Sequence, residues 1–233
     1  NRERERAKFK QNEYWSITGT FSANKNDSFV AKITFIENDR VAAGDAFNKT
    51  SGKLNKKNTV VLDKKGAENL ASNFLNKNWK VHSLEKKPIK QHPYAPFITS
   101  TLQQEAIRKF RMNSQQVMRS AQSLYENGYI TYMRTDSINL SNEAIQASRN
   151  TITKLYGNSY MPTSPRKYQN KAKNTQEAHE AIRPAGSQFI HPDSLKESLD
   201  KNQWKLYNLI WKRTIASQMS SAQLEKTKIT ISD

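Results

Sequence analysis

Gly128-Tyr129-Ile130-Thr131-Tyr132-Met133-Arg134-Thr135-Asp136-Ser137 is a short aromatic and β-branched run lying between two helical patterns. Upstream, Val117, Ala121, Leu124 and Tyr125 share one face of a helix predicted over roughly 114–127, and Gly128 stands where it should end. Downstream, Ser141 is a candidate N-cap for a helix that carries Ala144, Ile145, Ile152 and Leu155 and stops at Gly157. The composition of Tyr129 to Met133 predicts an extended segment. Alternate side chains of an extended chain share a face, which puts Tyr132, Arg134 and Asp136 on the same side. A phenol next to a guanidinium is a chemical arrangement as well as a structural one.

The chain has 233 residues, enough for one large domain or two smaller ones with a real core. Thirty-eight Lys and Arg against 21 Asp and Glu give a formal charge of +17, which favours a polyanionic partner. The basic residues are spread over loops and helices rather than gathered on one amphipathic helix, so nucleic acid is expected rather than a membrane surface. No run has the length of a membrane span or the form of a signal peptide. The absence of cysteine excludes disulfides and thiolate metal sites and is compatible with a reducing cytoplasm.

Residues 1–10 read as the exposed end of a helix, and from Tyr14 to Ile36 the pattern turns to strands. There Phe29, Ala31, Ile33 and Phe35 alternate with other residues at the period of a half-buried strand. Thr59 to Leu62 predicts another short strand, Asp63 caps a helix over roughly 64–76, and Trp79 to Glu85 returns to strand. Three prolines between Lys86 and Pro96 predict a connector. Helices are then expected at Thr99–Arg111, Ser114–Asn127, Ser141–Tyr156, a short piece near Gln176–Ile182, and Asp200–Met219, followed by a strand over Thr227–Ile231. This order predicts an α+β chain in which a helical, tyrosine-bearing domain (residues 92–218) is inserted into a β-rich domain (1–91 and 219–233). The helical pattern at the start and the strand pattern at the end lead to the expectation of a fragment of a longer protein.

Common nucleotide motifs fail. In Ser51-Gly52-Lys53 a leucine follows the lysine and Phe47 holds the place of the first required glycine, so a turn is expected. His82, His92, His179 and His191 are too dispersed for a local zinc motif, and no Asp-x-Asp carboxylate group is present. A lone tyrosine in a strand most often packs. A free phenol has a pKa of about 10, so about a thousandth is ionised at neutral pH, and a nucleophilic phenolate needs roughly 4 kcal/mol of help. Arg134 can supply part of it by holding a phosphate and the charge of a pentavalent transition state, or it can form a plain ion pair with Asp136. In Thr175-Gln176-Glu177-Ala178-His179-Glu180-Ala181-Ile182-Arg183-Pro184, His179 and Arg183 share a face if the segment is helical and could bind one phosphate.

At these stretches the sequence resembles the type IA DNA topoisomerases of bacteria. The matching residues are Pro96-Phe97-Ile98-Thr99-Ser100-Thr101-Leu102-Gln103-Gln104, Gly128 to Ser137 with Asn139-Leu140-Ser141, Gln176 to Pro184, Leu209-Ile210-Trp211 and Ala216 to Met219. The resemblance is clear from about Tyr94 to Met219 and weaker over the β region before it. It implies that Tyr132 is a nucleophile forming a 5′-phosphotyrosine, that Arg134 contacts the scissile phosphate, and that His179 binds DNA and positions the active site. Gln103, Arg119, Arg183 and Asp136 stand as further candidate DNA contacts. It also implies a multidomain toroid with a β-rich arch, ATP-independent relaxation of negatively supercoiled DNA, and a monomer in the bacterial cytoplasm at the nucleoid. Mg²⁺ is implied as a cofactor bound by an acidic domain outside this chain, so the fragment alone is expected not to relax DNA.

Two other readings of the residues stay open at this point. In a non-catalytic, basic, single-stranded nucleic-acid-binding module, Tyr132 would only stack or pack. A relaxase or recombinase would want a histidine pair or several flanking Arg and His residues, and neither is evident.

Overall fold

The computed structural model describes residues 1–24, 26–169 and 180–233. They form two compact units, one made of Asn1–Leu84 and Lys228–Asp233 and the other of Glu85–Thr227.

The first unit is β-rich. A short exposed helix, α1 (Arg2–Lys8), leads to an antiparallel hairpin of β1 (Thr18–Asn24) and β2 (Asp27–Lys32). Then come β3 (Phe35–Ile36), β4 (Asp39–Val41) and β5 (Thr59–Val60), with β4 antiparallel to β3 and parallel to β5. Helix α2 (Lys64–Phe74) starts where expected, because the Asp63 carboxylate accepts the Gly66 N–H at 2.7 Å. Its Ala67 joins Val41 and Leu62 in a small core, with Ile17, Ile33, Ile36, Val60 and Leu70 against it. The predicted half-buried strand is a correction: in β2 both Phe29 and Val30 are exposed. A two-stranded hairpin has little to cover either face. Phe29 stacks on Phe21, which also meets the edge of Trp79. Ser51-Gly52-Lys53 is the expected turn, with the Asn48 carboxamide oxygen accepting the N–H groups of Thr50 and Ser51.

Strands β6 (Lys80–Gln91) and β7 (Ala222–Ser232) pair as a two-stranded ribbon, and the unit boundaries fall within them. The expected connector from Lys86 therefore begins only after Gln91. Pro88 does not interrupt β6, because each strand of such a ribbon has an unpaired edge where a missing N–H costs no ladder bond.

The second unit is helical: α3 (Thr99–Phe110), α4 (Ser114–Glu126), α5 (Asn142–Tyr156) and α6 (Lys201–Ser217). Capping explains the boundaries. Asn113 and Gln116 form a reciprocal box before α4, Ser141 accepts the Ala144 N–H before α5, and Asp200 and Gln203 form a second box before α6. Gly128, at φ +73°, takes the left-handed conformation that lets the chain leave α4 at once. Helix α6 lies at the centre and packs against α3, α4 and α5. Its Leu206, Tyr207, Ile210 and Ile215 are buried with Leu102, Val117, Leu124 and Ile152. The short helix expected near Gln176–Ile182 is corrected where it is described: Ile182 and Pro184 form isolated bridges with Phe97 and Ile130 instead. Backbone pairing across the chain overrides local helical preference there.

Candidate active site

The extended segment expected after Gly128 is a correction: the chain bends at Tyr129, Thr131, Met133 and Arg134, and among the described residues it joins no sheet. Among the described residues its one bridge joins Ile130 to Pro184. Side chains alternate as the sequence predicts: Tyr132, Arg134 and Asp136 are exposed, while Met133, Thr135 and Ser137 are buried. Burying the thioether of Met133 among Phe97, Leu102 and the α6 side chains is what turns Tyr132 and Arg134 outward.

Hydrogen bonds grip the segment from two sides. On one, the Thr131 N–H donates to the Arg183 carbonyl at 2.9 Å and the Thr131 hydroxyl to the Ala181 carbonyl at 2.8 Å. The Arg183 N–H donates back to that hydroxyl at 3.0 Å, and the Ala185 N–H to the Tyr129 carbonyl at 3.0 Å. On the other side, Thr99 at the start of α3 binds the backbone at Met133 and Thr135. Beyond it, the Thr135 and Ser137 hydroxyls accept the N–H groups of Ser137 and Asn139, a run of local turns suited to short polar side chains.

The Tyr132 ring is 44% exposed and meets the edge of Tyr125, with ring centres 5.2 Å apart and planes at 63°. Tyr125, expected on the inner face of α4, is itself 41% exposed. The site thus holds an aromatic neighbour that helical periodicity hides. Arg134 is exposed, and among the described residues no ion pair joins it to Asp136, which leaves the guanidinium facing solvent. That geometry suits a cation waiting for an anion from outside the chain.

The remaining candidates separate. Gln103, on α3, donates to the Ser114 hydroxyl at 3.0 Å, and Arg119 is exposed on α4. His179 lies outside the described residues. Arg183 points inward. Its side chain is 7% exposed and makes a forked ion pair with Glu180, with Nη2 at 2.8 Å and Nε at 3.2 Å from Oε2. Its Nη1 donates to the carbonyls of Pro184 and Gly186 at 2.9 and 3.1 Å. Every guanidinium nitrogen is thus occupied inside the fold, so in this arrangement Arg183 holds the 180–186 segment rather than facing a phosphate. Burial pushes the Glu180 carboxyl up, but the Arg183 hydrogen bonds and the Ser141 N–H, 2.6 Å away, outweigh it and hold the group below the usual glutamate value. Glu180 thereby ties the start of α5 to the 180–186 segment that holds Thr131. Thr99, Thr131 and Glu180 were not singled out by residue type; only the stretches that contain them stood out.

Among the described residues no group of three or more His, Asp and Glu side chains could hold a metal ion. No described helix is long and apolar enough to cross a membrane.

Comparison with known proteins accords with this geometry. A DNA topoisomerase family model matches residues 1–233. The chain belongs to the bacterial DNA topoisomerase I family. It is 50% identical over 227 residues to DNA topoisomerase 1 of Streptomyces coelicolor and 49% identical over 229 residues to that of Mycolicibacterium smegmatis. Each alignment covers 95% of this chain but 24% of the relative, so the chain spans about a quarter of their length. Among solved structures, full-length topoisomerase I from Thermotoga maritima matches with a TM-score of 0.66 and 32% identity, over 99% of this chain and 33% of that one. The mixed helix and strand content of this chain agrees with that neighbour.

Proposed function

We propose that this chain is the tyrosine-bearing part of a type IA topoisomerase that cuts one DNA strand, passes another through the gap and reseals the break. The observation that carries this reading is the outward pair of Tyr132 and Arg134 on a segment whose intervening residue is locked into the core. The Tyr132 oxygen attacks a backbone phosphorus. The phosphorus–O5′ side stays with the enzyme as a 5′-phosphotyrosine, the bond to O3′ breaks, the phenol proton is lost, and O3′ gains a proton. The exposed Arg134 guanidinium stabilises the charge on the phosphoryl oxygens, a role worth about 3–4 kcal/mol for a well-aimed donor. One ester replaces another, so resealing needs no ATP. The β-rich unit would form part of the arch of a toroid, and an acidic, Mg²⁺-dependent part of the active site would come from elsewhere in a longer protein. The substrate would be a single-stranded stretch of negatively supercoiled DNA, in the bacterial cytoplasm at the nucleoid, bound by a monomer.

The test uses a chimera in which this chain replaces the matching quarter of the full-length Streptomyces coelicolor relative. With Mg²⁺ and an end-labelled single-stranded oligonucleotide, a 5′-linked adduct should form, and Tyr132→Phe should abolish both adduct and plasmid relaxation. An adduct that survives the substitution, or one joined to the 3′ end, would remove the proposal in favour of a different phosphotyrosine enzyme. Unchanged DNA binding with no adduct from the unsubstituted chimera would favour the non-catalytic binding module.

A further inference from the structure

We infer that Thr99 is the residue that aims Arg134, and this inference rests on the function proposed above. Thr99 opens α3 and lies 34 residues before the backbone that it touches. Its hydroxyl reaches the Met133 carbonyl at 2.8 Å and the Thr135 carbonyl at 3.1 Å, and it accepts the Thr135 N–H at 2.9 Å. Its own N–H donates to the Thr135 carbonyl at 3.0 Å. The Met133 carbonyl belongs to the peptide plane before the Arg134 Cα, and the Thr135 N–H belongs to the plane after it. One hydroxyl therefore holds both planes that set φ and ψ of Arg134, and with them the direction in which its side chain leaves the backbone.

Among the described residues no sheet does this work, because the segment has a single bridge there, at Ile130. Thr99 is itself held in place: it begins a helix whose Leu102 and Ala106 are fully buried, and the Phe97 carbonyl just before it accepts the Ile182 N–H at 2.8 Å. The Arg213 guanidinium lies 4.1 Å from the Phe97 ring centre and donates to the Ala95 carbonyl, which fixes the same approach to α3. Thr99 touches no reacting atom in this scheme. It is a positioning residue, joining the packed helices to the cation that meets the phosphate.

The test is a double-mutant cycle in the chimera, read as the single-turnover rate of adduct formation with DNA affinity and melting temperature measured alongside. Thr99→Val, which keeps the branched shape but loses the hydroxyl, should slow cleavage about tenfold or more, with affinity within about twofold. In an Arg134→Ala background the same substitution should slow it by less than about twofold, because there is no longer a guanidinium to aim. Thr99→Ser, which restores the hydroxyl, should cleave within about threefold of the parent. Thr99→Ala repeats the deletion with a side chain that fits the same space, so a poorly folded Val variant does not end the test. Equal slowing in the presence and absence of Arg134, a loss of affinity as large as the loss of rate, or a Ser variant as slow as Ala would each overturn the inference. Tyr132→Phe serves as the separate control. Adduct formation without the Tyr132 hydroxyl sinks the proposed function, whereas a normal rate in Thr99→Val sinks only the aiming role.

Discussion

Arg183→Met removes a guanidinium from inside the fold and keeps an unbranched chain of similar reach. The ion pair with Glu180 is lost, and the carbonyls of Pro184 and Gly186 lose their donor. Breaking one side of a fully buried pair costs about 3–5 kcal/mol. The Glu180 side chain is 30% exposed, so water recovers part of this, and each orphaned carbonyl adds about 1 kcal/mol or less. A net loss of about 3 kcal/mol is expected, which for a unit of this size is a fall of roughly 10 °C in the melting temperature at pH 7. The pH dependence has a definite sign. In the parent, the Glu180 carboxyl lies below its usual value, so its contribution is present above about pH 4.3 and is lost as pH falls through the lowered value. In the variant, burial acts unopposed by Arg183 and the lone carboxylate takes up a proton at higher pH. The deficit should therefore shrink between pH 7 and pH 4.5. Glu180→Gln combined with Arg183→Met should melt above Arg183→Met alone, because no unpaired charge remains. Calorimetry of the 233-residue chain reads all three proteins. A variant that melts within about 3 °C of the parent, with a salt dependence of DNA binding that is one phosphate contact shallower, would show that Arg183 grips DNA and that its internal bonds contribute little.

Arg134→Ala should slow adduct formation by about 10²–10³, well beyond its effect on DNA affinity, and equal losses would reduce Arg134 to a phosphate grip. Tyr125→Leu removes the ring edge beside the nucleophile, a contact worth about 0.5–1.5 kcal/mol. Cleavage should slow about two- to tenfold with melting nearly unchanged, and a normal rate would show that the pair is incidental. Gly52→Ala should destabilise the β-rich unit by about 2 kcal/mol or more, since Gly52 sits at φ +72° and an added Cβ would overlap the Lys10 carbonyl oxygen. Faster hydrogen exchange at the amides of Lys10 and Gly52 reads it, and unchanged exchange there would refute it.

The parts of the fold that sequence reading reached are those set by neighbours along the chain. Asp63, Ser141 and Asp200 cap the helices that they precede, and Gly128 ends α4, because a cap or a left-handed glycine acts within four residues. The outward alternation of Tyr132, Arg134 and Asp136 is as expected, although the backbone bends at Met133 and Arg134 rather than running extended. What escaped depends on distant partners. Periodicity placed Phe29 and Val30 on a strand but could not say that nothing covers them. The Ala181–Arg183 backbone pairs with residues 50 or so earlier in the chain, and no helical propensity rule sees that exchange. Arg183 read as a candidate phosphate contact because a side chain's partner is not written in its type. Thr99 was inside a recognisable stretch, yet its bonds to Met133 and Thr135 require two segments to be folded against each other first.

The alternation around Tyr132 makes the number of residues here as binding as their identity. Adding or deleting one residue between Thr131 and Ser137 would invert the parity of the stretch, sending a phenol inward and a methionine to the solvent. Between these two positions length itself is under lock.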